Sequence, residues 1–166
     1  SPLQRDGSNS ITGVIKPSAN ASIDLGASNY RFANVWATTL QGTALQADYA
    51  DLAERFEADQ KYEAGTVVAI GGAKEITAVK EELSDDVFGV ISTRAAYLMN
   101  SGAGNDNTHP PIAVSGRVPV KVMGRVSKGD RLVSAGNGLA RAAKKSEMTP
   151  WNVIGRALTN KTSDGV

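Results

Sequence analysis

The chain of 166 residues contains no cysteine, so disulfides and thiolate metal ligands are excluded outright. It contains one histidine; a zinc site would need carboxylates for its other ligands, an uncommon set. Aromatic residues make up only 5% of the chain. That is thin material for a large single-chain core, and a chain so composed gains burial by assembling with copies of itself. A run of about 18 apolar residues is missing, so no membrane insertion is expected. Ser1-Pro2-Leu3 carries no leader pattern and reads as a processing scar. Neither charge predominates: 18 Lys and Arg stand against 17 Asp and Glu, for a net charge of +1. Without a basic surplus, no nucleic-acid partner is expected.

What the chain does have is short β-like words separated by turn residues. Residues 1–42 read as an extended β lead-in. Ile23 and Leu25 alternate with Ser22 and Asp24, giving one apolar strand face. Gly26-Ala27-Ser28-Asn29 is turn material. The stretch from Phe32 to Leu40 is rich in aromatic, Val and Thr residues, which suit a pleated, half-buried surface.

Residues 43–57 change period. Leu45, Tyr49, Leu52 and Phe56 are spaced four, three and four residues apart, the seam spacing of a coiled coil. A short transition helix is expected there, with this stripe as the candidate oligomer contact. The competing reading is a strand through Tyr49-Ala50-Asp51-Leu52-Ala53-Glu54.

Residues 58–166 read as all-β with an internal repeat. Ala64-Gly65-Thr66-Val67-Val68-Ala69-Ile70-Gly71-Gly72 parallels Lys128-Gly129-Asp130-Arg131-Leu132-Val133-Ser134-Ala135-Gly136. Each half continues with a second strand, Glu75 to Val79 and Leu139 to Ala143, and a charged linker, Lys80 to Asp86 and Lys144 to Glu147. Each closes on a similar word, Val87-Phe88-Gly89-Val90-Ile91 and Val153-Ile154-Gly155-Arg156-Ala157. An alternating strand pattern from Ile112 to Met123 lies between them. Two similar hairpin units with a central strand suggest a small β-barrel that hides its strand edges. The fold class expected is therefore mainly β: extended lead-in, short transition helix, β-barrel.

The ordered series Ile23-Asp24-Leu25-Gly26-Ala27-Ser28-Asn29-Tyr30-Arg31-Phe32-Ala33-Asn34-Val35-Trp36-Ala37-Thr38-Thr39, closed by Gly42-Thr43-Ala44, resembles bacteriophage tail-fibre proteins. Asp51-Leu52-Ala53-Glu54 and Tyr62-Glu63-Ala64-Gly65-Thr66-Val67-Val68 are similar to small β-barrel modules near the C-terminal ends of fibre and appendage proteins. The resemblance implies a structural virion component, a homotrimer, held to other virion tail proteins and contributing to attachment to a host surface glycan or protein. Some such modules belong to, or neighbour, intramolecular chaperones that cleave themselves after trimer assembly. A chaperone or trimerisation domain is therefore the alternative, and a glycan-degrading tail spike the third reading. The Ser-Asp and Arg-Leu-Lys marker of one self-cleaving family is absent here; Ser163-Asp164-Gly165 is only a partial echo.

No pattern in the chain specifies a catalytic centre, and neither enzymatic activity nor a cofactor is expected. Asp48, Asp51, Glu54, Glu57 and Asp59 would make a glycosidase pair only in an aromatic-lined cleft, for which aromatics are too few. Glu81, Glu82, Asp85 and Asp86 lack the spacing of a calcium loop. Gly71-Gly72-Ala73-Lys74 lacks the remainder of a phosphate loop and reads as a hairpin turn. Ser84 and Ser163 have no recognisable base. The stretch from Asn100 to Pro111 has no large apolar residue. Loops of about 12 residues in compact domains are usually functional or disordered. Asn100, Ser101, Asn105, Asp106, Asn107, Thr108 and His109 are the candidate receptor contacts, because their side chains can exchange hydrogen bonds with sugar hydroxyls.

Overall fold

The computed structural model describes residues 18–19, 24–39 and 51–166, and the chain divides into two units, Ser1–Thr43 and Ala44–Val166. In the first unit every residue from 24 to 39 is exposed. The expected turn forms: the Ala27 and Tyr30 amides each donate to the other residue's carbonyl, at 2.9 and 3.1 Å, around Ser28 and Asn29. The expected strand over the following residues does not form between 32 and 39. Their β-forming side chains have no neighbouring strand to pack against, and β preference is largely such packing.

The second unit is mainly β, with strands β1 (Asp51–Arg55), β2 (Val67–Ile70), β3 (Ile76–Ala78), β4 (Val87–Ile91), β5 (Tyr97–Met99), β6 (Pro111–Gly116), β7 (Arg131–Gly136), β8 (Leu139–Ala142) and β9 (Gly155–Arg156), and one 3-10 turn at Lys145–Glu147. They form two sheets, ordered β3-β2-β4-β6-β1-β5 and β8-β7-β9. The sheets do not close into the expected barrel. The larger ladder ends on β3 and β5, the smaller on β8 and β9, so edges remain on both.

The expected helix is also replaced where the chain is described. Leu45 and Tyr49 lie outside the described residues, but Asp51–Arg55 is strand β1. Its partners decide the matter: β1 lies between β6, antiparallel, and β5, parallel. The burial alternates accordingly, with Asp51 and Ala53 buried and Leu52 exposed between them. A period of two puts Leu52 on the opposite face from Ala53, so the segment from 51 to 55 follows a strand period rather than the expected helical one. Phe56, just beyond the strand, packs edge-on against Phe88 at 5.2 Å between ring centroids.

The repeat appears in the strand register. In the first half β2 is central, with Val68 opposite Ala78 of β3 and Gly89 of β4. In the second half β7 is central, with Leu132 opposite Ala142 of β8 and Gly155 of β9. Hydrogen bonds repeat the match. Gly65 N–H donates to Ile91 O and Ile91 N–H to Thr66 O; Gly129 N–H donates to Ala157 O and Ala157 N–H to Asp130 O. The likeness extends upstream, since Ile76 N–H donates to Glu57 O just as Ala140 N–H donates to Lys121 O. Gly89 and Gly155 therefore hold matching places. Only Gly89 is closely approached: a Cβ there would lie 2.7 Å from the Ala113 carbonyl oxygen and from Ile112 Cγ2, whereas one at Gly155 meets nothing within 4 Å. The reason is topological. β4 has β6 on its far side, while β9 is an edge.

Two apolar clusters cover β2 from opposite sides. Val67 and Ala69 pack with Val79, Val90, Val126, Leu132 and Ala140, joining the two sheets. Val68 packs with Ile76, Ile91 and Ile112 on the other face. This explains the unbroken apolar word Val67-Val68-Ala69, since a strand buried on both faces loses the polar alternation.

The charged linkers are pinned by ion pairs. Arg141 on β8 donates from Nε to Glu82 at 2.6 Å and from Nη1 to Glu147 at 2.8 Å. The hydrogen bond from Arg141, followed by one from the Lys144 backbone amide, holds the Glu147 carboxyl below its ordinary value of 4.5 against the opposing effect of burial. Hydrogen bonds from Lys74 and Lys121 lower Glu57 and Glu63 in the same direction. A carboxylate depressed in the folded state adds stability above its unfolded pKa and loses it as pH falls through the folded one. Stability should thus hold at neutral pH and decline below 4.5. Arg141→Gln should flatten that acid limb in denaturant titrations run across pH; an acid limb of unchanged slope would dissociate Glu147 from it.

Candidate functional site

The loop from 100 to 110 leaves β5 through Asn100, whose φ of 52° starts a left-handed turn. It is fixed by its own backbone rather than left as a free connector. The Thr108 and His109 amides donate to Asn105 O at 3.1 and 2.7 Å, and the Asn107 amide donates to Asn105 Oδ1 at 2.9 Å. The loop is also tied to the sheet. Ala58 N–H donates to Thr108 O at 2.9 Å, and Asn100 Nδ2 to Arg55 O at 3.2 Å.

Arg55 organises this loop and was not among the residues expected there. It sits at the inward end of β1 with its side chain 14% exposed. Its Nη1 donates to His109 O at 2.6 Å and pairs with Asp106 at 2.8 Å. The signal in sequence was a charge at an inward strand position, which demands a partner.

The seven candidate residues consequently divide. Asn100, Asn105, Asp106, Thr108 and His109 spend hydrogen bonds on loop geometry, Thr108 through its Oγ1, which donates to Asn105 O at 3.4 Å. His109 has its Nδ1 3.1 Å from Thr108 Oγ1, and Gly104 lies so close that a Cβ there would overlap the ring. One face of the imidazole is thus covered. Ser101 and Asn107 are exposed and their side chains make no hydrogen bond among the described residues, leaving them free to meet a ligand. The loop therefore presents small polar groups on a braced frame.

The two described members of the candidate oligomer stripe part company. Phe56 packs against the second apolar cluster, while Leu52 is exposed beside Tyr97, its register partner on β5. Glu54 and Met99 are the next pair on that face.

A groove of about 810 Å³ opens between β4, β6, the segment 117–122 and β9. Its walls are mostly aliphatic, among them Val114, Val118, Val153 and Leu158. Its ionisable side chains are all cationic: Arg117, Lys121, Arg156 and Lys161. Lys121 pairs with Glu63 at 2.7 Å. Lys161 Nζ donates to the carbonyls of Gly124 and Ser163, each at 3.0 Å, and to that of Gly165. Arg117 and Arg156 form no ion pair among the described residues.

No family model matches the chain, and no curated protein matches it. Among the described residues no three His, Asp or Glu side chains converge as metal ligands, and no helix is long and apolar enough to cross a membrane.

Proposed function

We propose that the chain is a structural module of a virion appendage, of the tail-fibre type that its sequence resembles. It works as a homotrimer, joined to other virion tail proteins and bearing a loop that contributes to attachment at a host surface glycan or protein. The observation that carries this reading is the dressing of the first unit. Leu25 is 78% exposed, Tyr30 77% and Trp36 93%. A single chain leaves these side chains in water, and a row of exposed large apolar groups marks a surface that works covered.

Light scattering at micromolar concentration tests the assembly. The expected mass is three times 17.3 kDa, and a stable folded monomer would overturn it. Intact-mass measurement should show one species, whereas two products would favour the self-cleaving chaperone. Attachment is tested with Ser101→Arg combined with Asn107→Arg, substitutions outside the loop's internal bonding. Because linked sites raise avidity by about 10² or more, weakening each copy should reduce host-cell binding by about that factor. Full binding with an intact trimer would place the receptor contact elsewhere.

A further inference from the structure

Beyond β6 the chain runs on as Arg117-Val118-Pro119-Val120-Lys121-Val122. Pro119 restricts Val118 to extended backbone. Exposure alternates, with Arg117 and Pro119 outward and Val118 and Val120 half-buried. All three valines pack against the cluster that joins the two sheets. One edge of this segment is paired. Lys121 N–H donates to Gly65 O at 2.9 Å, Ala140 N–H donates to Lys121 O at 2.9 Å, and Met123 N–H donates to Ala140 O at 2.8 Å. In extended backbone the N–H and C=O of one residue point to the same edge, and those of the next residue to the other. Val118, Val120 and Val122 therefore turn their amides and carbonyls away from Gly65 and Ala140. None of these groups has a hydrogen-bond partner among the described residues.

The same three valines line the groove of about 810 Å³, and β9 lines it as well. β9 is the last strand of the smaller sheet. The groove thus has an unpaired backbone edge along one wall, an end strand on another, and aliphatic side chains between. A row of unpaired N–H and C=O groups is a template for a further strand.

We propose that the groove is a docking slot for an extended segment of another polypeptide, which adds as a β-strand along residues 118–122. Main-chain bonds to Val118, Val120 and Val122 give affinity, and alternate aliphatic side chains of the incoming strand meet the apolar walls. Charge sets the rest of its chemistry. The ionisable side chains lining the groove are all cationic. Lys121 is engaged by Glu63 and Lys161 by backbone carbonyls, which leaves Arg117 and Arg156. The segment that fits carries carboxylates flanking its aliphatic run. The open edge makes the slot, and the two arginines select among strands that could fill it. The slot is complete in a single copy of the chain and does not depend on the trimer.

The test is amide hydrogen exchange on the full chain, read by NMR. The probe is a synthetic peptide of about seven residues, within the usual length of a strand, alternating valine and threonine between terminal glutamates. In the free protein the Val118, Val120 and Val122 amides should exchange readily. With peptide at about 100 times its dissociation constant they should slow about 100-fold. N-methylating every second peptide residue keeps side chains and charge but removes donors; in at least one of the two registers it should weaken binding about tenfold or more. Arg117→Glu with Arg156→Glu should reverse the charge preference, favouring the same peptide with lysine ends. Binding that leaves the three amides unprotected, or that ignores N-methylation in both registers, would overturn strand addition. So would no binding at roughly millimolar peptide. Protection of these amides before any peptide is added would overturn the external partner and assign the edge to the protein's own assembly. An unchanged preference in the arginine variant would overturn the acidic specificity.

Discussion

Gly89→Ala is expected to destabilise the protein by about 2–3 kcal/mol, while Gly155→Ala changes stability by no more than about 0.5 kcal/mol. Both glycines occupy the same register position in their halves, opposite Val68 and Leu132. The difference lies in what stands beyond them. An added Cβ at Gly89 would press on the Ala113 carbonyl oxygen and Ile112 Cγ2, each at 2.7 Å. The carbonyl belongs to the backbone of β6 and moves only if the strand moves. Ile112 is fully buried in the second cluster and has no room to turn away. At Gly155 the same methyl projects into open space. For a chain of this size the first substitution should lower the melting temperature by roughly 5–10 °C, and differential scanning calorimetry of the two variants reads the contrast directly. Equal melting temperatures would mean that β4 and β6 are not so tightly apposed.

That pair of glycines also shows what the sequence reveals and what it withholds. The two Gly-bounded words were similar enough to predict matching strands, because local strand length and turn placement are written locally. Which glycine is crowded is decided by β6, a strand contributed from between the repeats. The same limit explains the transition segment. Leu45, Tyr49, Leu52 and Phe56 carry a helical spacing, but β5 and β6 flank Asp51–Arg55 and offer it two ladders of hydrogen bonds. A segment of four turns or fewer has little helical stability of its own, so tertiary pairing prevails.

Asn152→Ala should cost roughly 2 kcal/mol by removing hydrogen bonds to backbone groups that have no other side chain serving them. Asn152 is 1% exposed. Its Nδ2 donates to Glu147 O at 2.8 Å, and its Oδ1 accepts from the Thr149 amide at 2.9 Å. One side chain thereby ties the 3-10 turn to the approach of β9. Asn152→Asp keeps an acceptor for Thr149 and loses the donor to Glu147, so it should fall between the parent and the alanine variant. Urea denaturation with a constant m-value measures the series. An alanine variant as stable as the parent would show that water replaces both bonds at no cost.

Nothing in the linear sequence marks Asn152 as interior; asparagine between Trp151 and Val153 reads as loop surface. Its role follows from the chain folding back over the turn at Lys145–Glu147. The loop from 100 to 111 is a parallel instance. Its composition identified it as polar and ligand-capable, but its bracing by Arg55 depends on a contact between residues 55 and 106. Ser101 and Asn107 are distinguished from their neighbours only once those internal bonds are assigned.

The position of β1 has a mechanical consequence. Residue 51 begins a strand flanked on both sides, antiparallel to β6 and parallel to β5. Tension arriving along the chain at Asp51 and directed along β1 would load both ladders in shear, so several hydrogen bonds must yield together. A pull on a hairpin end would instead peel bonds one at a time. The domain thus takes force at a place where sliding is resisted on two sides. Single-molecule pulling from residue 51 against residue 166 should therefore require a higher rupture force than pulling apart the β7–β8 hairpin from its two ends.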